Sequence, residues 1–487
     1  MVINSFRLDK KFDAKKNSEL LIKFTNKFLS TQHMTTNLKI ISDKINIPND
    51  ILQRECKHYL QYNFDNKTGK YNSSFLYLNA IKDFFRFIFF FIWIIFFSKK
   101  NNTEKVYDLI VDDLDHEHSI KTFKELDKYF SQVLLITTLK KFDKKNNFLF
   151  VDKYKNLNFK IGFKFCYDYF LYIPLKILYL SLKSQNNLFG INLHIFRIYF
   201  KYSSIFKNNK SKYLLQERYY RSSSLKNYLF KYYGGKNTFI TQRVLGIYSS
   251  FGMFVNCDYF LSLGKKTADI ICNQDSEIKK ITPIGSLSIY QNYFNSPIRS
   301  DEIPSYDLLD LESRMANTND VYDTFWNDWY IKFSWLAKLS ALNPNLNIAI
   351  KIRPEHKTAM ENINIKNALK NSNVKIIDGS EYGFKFNTYH YAFKAKSLCT
   401  WISTLGCEMI GHGKKCFYIN PNLKNTSYKN FAVLDKFTIH NYQSFEKKIL
   451  DEINDPNKNF KDYQKDDYCV ESSNVFEELS KQIKNTL

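Results

Sequence analysis

The feature that excludes most folds for this chain is the texture of residues 348 to 421. IAIKIRP, VKIIDGS (Val374–Ser380), SLCTWIS and CFYINP read as short strands, and HYAFKAK and TLGCEMIGHG read as helices between them. Apolar runs of this length, separated by helical stretches, cannot close as hairpins. They require crossovers, and therefore a parallel sheet with helices packed on its faces.

The same texture appears earlier. YDLIV (Tyr107–Val111), the helical KTFKELDKYF and the strand-like QVLLITTL form a β–α–β unit with a right-handed crossover. GGKNTFITQ (Gly234–Gln242), CDYFLSLG from Cys257 and KKITPIGS from Lys279 each read as a strand running into a turn. Asn295–Ile303, with Pro297 and then Pro304, reads as a linker. Beyond it, Asp320–Asn343 places Phe325, Trp329, Phe333, Leu336 and Leu339 at spacings of three and four, the mark of an amphipathic helix. The expected fold class is α/β: two Rossmann-like parallel-sheet domains, 105–296 and 297–440, facing a cleft. A helical N-terminal region (1–104) and a helical tail (441–487) flank them, and a length of 487 residues accommodates this.

Residues 84–97, FFRFIFFFIWIIFF, hold nine aromatics in fourteen positions. The uninterrupted apolar core, Phe87 to Phe97, is 11 residues long, whereas a membrane span needs about 20. With Arg86 on one side and Lys99 and Lys100 on the other, segment 84–98 suits a helix lodged in one leaflet. A second apolar stretch, Phe165–Leu182, reads either as part of the same surface or as a core helix kinked at Pro174.

The chain carries 71 basic and 48 acidic residues, a net charge of +23. That balance points to an anionic partner, a membrane surface or a phosphorylated substrate. No basic block or aromatic-basic motif of nucleic-acid type is present, so no nucleic-acid partner is expected. The eight cysteines form no CxxC pair, which argues against zinc-ribbon and dithiol chemistry. With a polar first 50 residues, the expected location is the cytoplasm, peripheral on the inner face of the cell membrane.

Two blocks carry candidate chemistry. KIRPEH places Lys351, Arg353, Glu355 and His356 at the end of an apolar strand; Pro354 stops it, so the residues that follow leave the sheet and face the crevice. Arg353 is suited to chelate phosphate oxygens and His356 to donate to a leaving oxygen. In STLGCE, Ser403 and Thr404 open a helix, where they serve as caps or, with Gly406, leave backbone N–H groups for an anion. Glu408, one turn in, reaches ribose hydroxyls or the transferred group. Gly285-Ser286 ends a strand of the first domain and joins the donor-binding set. Asp112, Asp113 and His116 end the first strand and are candidates to accept an acceptor's hydroxyl proton.

KIRPEH, STLGCE and GHGKKCFYINP, in this order and spacing, resemble the C-terminal domain of GT-B glycosyltransferases of bacterial capsule, lipopolysaccharide and teichoic-acid-like polymer synthesis. The resemblance spans Lys105 to Asn425, with GGKNTFITQ, DYFLSLG and PIGS matching the end of the first domain. It implies a nucleotide-sugar donor, CMP- or CDP-linked, held at Ser403 and Thr404, and a saccharide or lipid-linked saccharide acceptor. It implies no cofactor and no metal. CDP-polyol phosphotransfer, nucleotide-sugar 2-epimerisation and a non-catalytic scaffold are the alternatives.

Overall fold

The structure is a computed structural model and describes residues 14–66, 76–97, 104–139, 148–150, 162–245, 254–272, 274–311, 323–353, 357, 360–401, 403–421, 432–455 and 463–486. In chain order the strands are β1 Lys105–Val106, β2 Leu109–Leu114, β3 Val133–Thr137, β4 Phe148–Phe150, β5 Asn209–Lys210, β6 Tyr213–Gln216, β7 Asn237–Thr241, β8 Asn256–Ser262, β9 Glu277–Pro283, β10 Leu308–Leu311, β11 Ile348–Lys351, β12 Lys375–Ile377, β13 Ser397–Thr400, β14 Cys416–Ile419 and β15 Thr438–Ile439. Among the described residues they form a short β1–β5 ribbon and two larger sheets, of order β4-β3-β2-β6-β7-β8-β9 and β12-β11-β10-β13-β14-β15. Every pairing in both large sheets is parallel.

The fold class is the one expected from the alternation: α/β, with two Rossmann-like lobes and a helical N-terminal region. The strands read as apolar runs because both faces are covered. Leu109, Val111, Leu135 and Leu215 face one core of the first lobe, while Ile110, Leu134, Ile136 and Leu214 face another. Of the strands in the two large sheets, β4, β6, β10 and β15 are not apparent in the sequence. β6 lies in residues 211–233, a segment whose sequence is helix-like, because an apolar run as short as YLLQ cannot be told from a helical turn by periodicity. β10 carries Asp310 at its middle. That carboxylate is wholly buried and pairs at 2.8 Å with Lys332 of the helix Asp323–Leu342. In a central strand such a charge is tolerated only with its partner in place.

The N-terminal helices Ala14–Leu29, Gln32–Ile45, Asn49–Asn66 and Leu76–Phe97 form a layer over the first sheet, in one core with the helices Ile173–Ser184, Phe189–Asn208 and Ser224–Tyr232. Glu55 ties this layer down. Its carboxylate accepts from Leu225 N (3.0 Å) and from the hydroxyl of Ser223, the N-cap of helix Ser224–Tyr232. The helix Leu76–Phe97 buries Phe87, Phe90, Phe91 and Ile94, with Phe91 stacked on Tyr169 at 4.6 Å. Burial of each such side chain is worth about 1.5–3 kcal/mol. Its opposite face is exposed. Among the described residues, no helix is long and apolar enough to cross a membrane.

The tail divides between the lobes. Helix Tyr442–Asn454 packs on the second lobe, with Phe445 and Ile449 in its core. The chain then returns across the ends of β8 and β9: Val470 N donates to Leu263 O at 2.9 Å. Gly285 permits this crossing, because at its φ of +91° a Cβ would stand 2.5 Å from Val470 O. Helix Val475–Lys484 ends in the first lobe, burying Phe476, Leu479 and Ile483 beside Phe123 and Leu126.

Candidate functional site

In an open parallel sheet the carboxyl ends of the strands where the order reverses form a crevice. In the first sheet this switch point falls between β2 and β6, and in the second between β10 and β13. Asp112 and Asp113 lie at the end of β2 and Glu217 follows β6. Ser403 and Thr404 follow β13. Leu245 N donates to Thr404 Oγ at 3.1 Å, and the Ser286 hydroxyl donates to Glu408. These contacts bring the carboxyl edges of the two sheets together.

At the end of β2 a bulge between Val111 and Leu114 puts Asp113 in the left-handed region, at φ +71°. Asp112 accepts from Tyr202 OH (2.7 Å) and from Lys226 Nζ (3.0 Å), and Asp113 accepts from the same ammonium at 3.1 Å. Burial pushes the Asp112 carboxyl up, but Lys226, Lys201 and the Tyr202 hydroxyl outweigh it and hold the group at about 2. For Asp113 burial prevails, helped by the Asp112 charge, and its carboxyl is raised. Adjacent carboxylates with affinities pushed apart suit an anchor beside a proton acceptor. His116 is exposed at the N-terminus of helix Glu117–Phe123, without a side-chain cap.

Next along the edge stands Glu217, buried, accepting from the Ser119 hydroxyl at 2.5 Å and paired with Arg218 Nε at 3.4 Å. Arg243, two residues beyond β7, approaches Glu217 at 3.8 Å. Its Nη1 is buried without a hydrogen-bond partner among the described residues. Desolvation and then the Arg243 charge depress the His118 imidazole. The same guanidinium pulls the Tyr389 hydroxyl and the Glu408 carboxyl downward against the larger effect of burial. Arg243 is thus a cation where the lobes meet. In the sequence the strand-like GGKNTFITQ ends at Gln242, one residue before it. The signal was an arginine just past a strand end, the same pattern that singled out Arg353.

Glu408 is buried between the lobes and accepts from Ser286 of the first and from Tyr389 OH at 3.2 Å. Burial raises its carboxyl, and the two hydroxyls and Arg243 only partly offset that. The Ser403 hydroxyl caps helix Thr404–Gly411 by accepting from Leu405 N at 3.2 Å. Gly406 serves packing: a Cβ there would lie 2.8 Å from Tyr418 OH and 2.9 Å from Cys416 Sγ. The Lys351 ammonium donates to the carbonyls of Ile352 (2.6 Å) and Asp378 (3.0 Å), which secures the loop after β12. Arg353 is exposed two residues past β11. Glu355 and His356 lie outside the described residues.

No family model matches the sequence, and no curated protein matches it. Similar solved structures include the wall teichoic acid polymerase TagF, with 10 % identity and a TM-score of 0.42 over 84 % of this chain and 98 % of that one. The UDP-GlcNAc 2-epimerase of Methanocaldococcus jannaschii gives 10 % and 0.42, covering 78 % of this chain and 99 % of its own. A putative UDP-N-acetylglucosamine 2-epimerase of Listeria monocytogenes gives 10 % and 0.45, covering 79 % and 96 %. At such values neither a family nor an activity follows from the likeness.

Proposed function

We propose that this protein is a transferase that moves a sugar from a nucleotide-activated donor, CMP- or CDP-linked, to a cell-surface polysaccharide or glycolipid acceptor at the inner face of the cell membrane. The observation that carries this reading is the meeting of two sheet switch points at one junction, with Arg243 between them. Each switch point alone is a place for a phosphorylated ligand. Together they hold a donor on one side and an acceptor on the other.

When the nucleotide departs, negative charge grows on its phosphate oxygens. Arg243 and Arg353 supply fixed positive charge, and the start of helix Thr404–Gly411 adds its dipole. A preorganised donor aimed at such charge lowers the barrier by about 3–4 kcal/mol. Asp113, with its raised carboxyl beside the Lys226 ammonium, takes the proton of the acceptor hydroxyl. Asp112 and Tyr202 hold that ammonium in place.

Thermal-shift screening of the full chain against CMP-, CDP-, UDP- and GDP-linked donors tests the reading. A shift with a cytidine donor, lost in Arg353→Ala and Arg243→Ala, is expected. Conversion of a UDP-sugar to its 2-epimer without acceptor would replace transfer by epimerisation. Release of a polyol phosphate from a CDP donor would replace the sugar. Indifference to every nucleotide would leave a scaffold.

A further inference from the structure

We infer that the exposed faces of helix Leu76–Phe97 and of the consecutive helical segments Phe163–Tyr167, Asp168–Tyr172 and Ile173–Ser184, taken together as a second helix, form one plate that seats in the interfacial layer of an anionic lipid membrane. The first helix exposes Ile81, Phe85, Phe89, Trp93 and Phe96, of which Phe89 is 64 % and Phe96 76 % exposed. The second exposes Phe163, Tyr167, Leu171, Leu175, Tyr179 and Leu182. Both sets recur almost wholly at four-residue steps, so each lies along one side of its helix. A four-residue repeat drifts about 40° per step on a regular α-helix. The π turn at Asp168–Tyr172 takes back part of that drift, just before Pro174.

The two faces belong to one surface. Phe87, Phe91 and Ile94 of the first helix and Tyr169, Ile173 and Ile177 of the second point into the same core. Phe91 meets Phe165 and Tyr169 between the helices. The opposite sides of both helices therefore turn outward together. Apolar continuity on this scale is rare on a protein surface without a partner.

Charge selects the occupant. Lys82, Lys164, Lys176 and Lys183 are exposed on the same two helices. The carboxylates there are already engaged: Asp83 with Arg86 and Asn187, and Asp168, buried, with Lys44 at 2.6 Å. An aromatic face rimmed by cations, with its acids neutralised, matches an anionic headgroup layer over acyl chains. The net charge of +23 acts in the same direction. Among the described residues no helix spans a bilayer, so the contact lies in the plane of one leaflet.

The inference shares its location with the function proposed above and requires none of its chemistry. The test is flotation of the full chain with vesicles of phosphatidylcholine alone and of phosphatidylcholine with phosphatidylglycerol. Stronger binding to the anionic vesicles is expected. In the variant Phe85→Ser/Phe89→Ser/Leu171→Ser/Leu175→Ser partitioning should fall by at least about tenfold. That variant changes exposed side chains only, and circular dichroism and the nucleotide thermal shift should stay as in wild type, which separates failure of the plate from failure of the active site. Wild-type protein that ignores both vesicles overturns the inference. So does an unaltered quadruple variant, equal binding to neutral vesicles, or a solution dimer that the four changes dissolve.

Discussion

The Ser286 hydroxyl donates to the Glu408 carboxylate across the junction of the two lobes. Ser286 follows the last strand of the first sheet, and Glu408 sits one turn into the helix that follows β13. The contact fixes how far apart the two carboxyl edges stand, and it does so with an acid that burial makes reluctant to ionise.

Removing that acceptor should loosen the junction. Glu408→Ala leaves the Ser286 and Tyr389 hydroxyls without their partner, a loss of about 1–3 kcal/mol. Glu408→Gln keeps a carbonyl oxygen and should lose less. Urea unfolding of both variants measures the difference, and turnover should fall further in Glu408→Ala.

Arg243→Ala should lower turnover by about 10²–10³-fold at saturating donor, and Arg243→Lys should recover only part, because a point charge does not reproduce the fork of a guanidinium. Steady-state kinetics with varied donor provides the check. Equal kcat in Arg243→Ala and wild type would take the residue out of the reaction.

Lys226→Met leaves Asp112 and Asp113 facing each other in a buried site. The expected cost is about 3–5 kcal/mol, read as a fall in the denaturant midpoint. Adding Asp113→Asn to Lys226→Met should restore part of it, since one of the two charges is gone.

Acid should weaken the chain through His58. Burial, then His194, Lys226 and Lys57, outweigh the pull of Glu55 and bring its imidazole down to about 4. The unfolded chain takes up that proton near pH 6.5, so between about 6.5 and 4 the unfolded state binds more protons. Stability from this group is complete above pH 6.5 and is lost as pH falls toward 4, by up to about 3 kcal/mol. His58→Gln should flatten the stability–pH curve in that window. Below it, Glu55 and Asp112, each held at about 2, lose their contributions in turn as they protonate.

The residues that reveal the fold are apolar strand runs such as IAI and SLCT, whose two buried faces leave no alternative to a parallel sheet. β10 was hidden because Asp310 breaks the apolar signal, and its partner Lys332 lies on a separate element more than twenty residues away. The candidate site is legible only in part. Asp113, Ser403, Thr404 and Glu408 follow from their positions at strand and helix ends. That Ser403 caps its own helix, and that Lys351 serves two carbonyls, depends on geometry that residue type does not carry. Arg243 and Tyr389 become meaningful only when two lobes are juxtaposed, a relationship that spacing along the chain does not encode.

The return of helix Val475–Lys484 to the first lobe has a consequence for biosynthesis. The sheet emerging earliest from the ribosome cannot seal its Phe123–Leu126 side until Phe476, Leu479 and Ile483 have been translated. An unfinished first lobe exposes oily surface throughout synthesis of the second, which is when chaperone capture and aggregation compete for a nascent polypeptide. The order of manufacture and the order of completion are thus inverted: the lobe made first is the last to be closed.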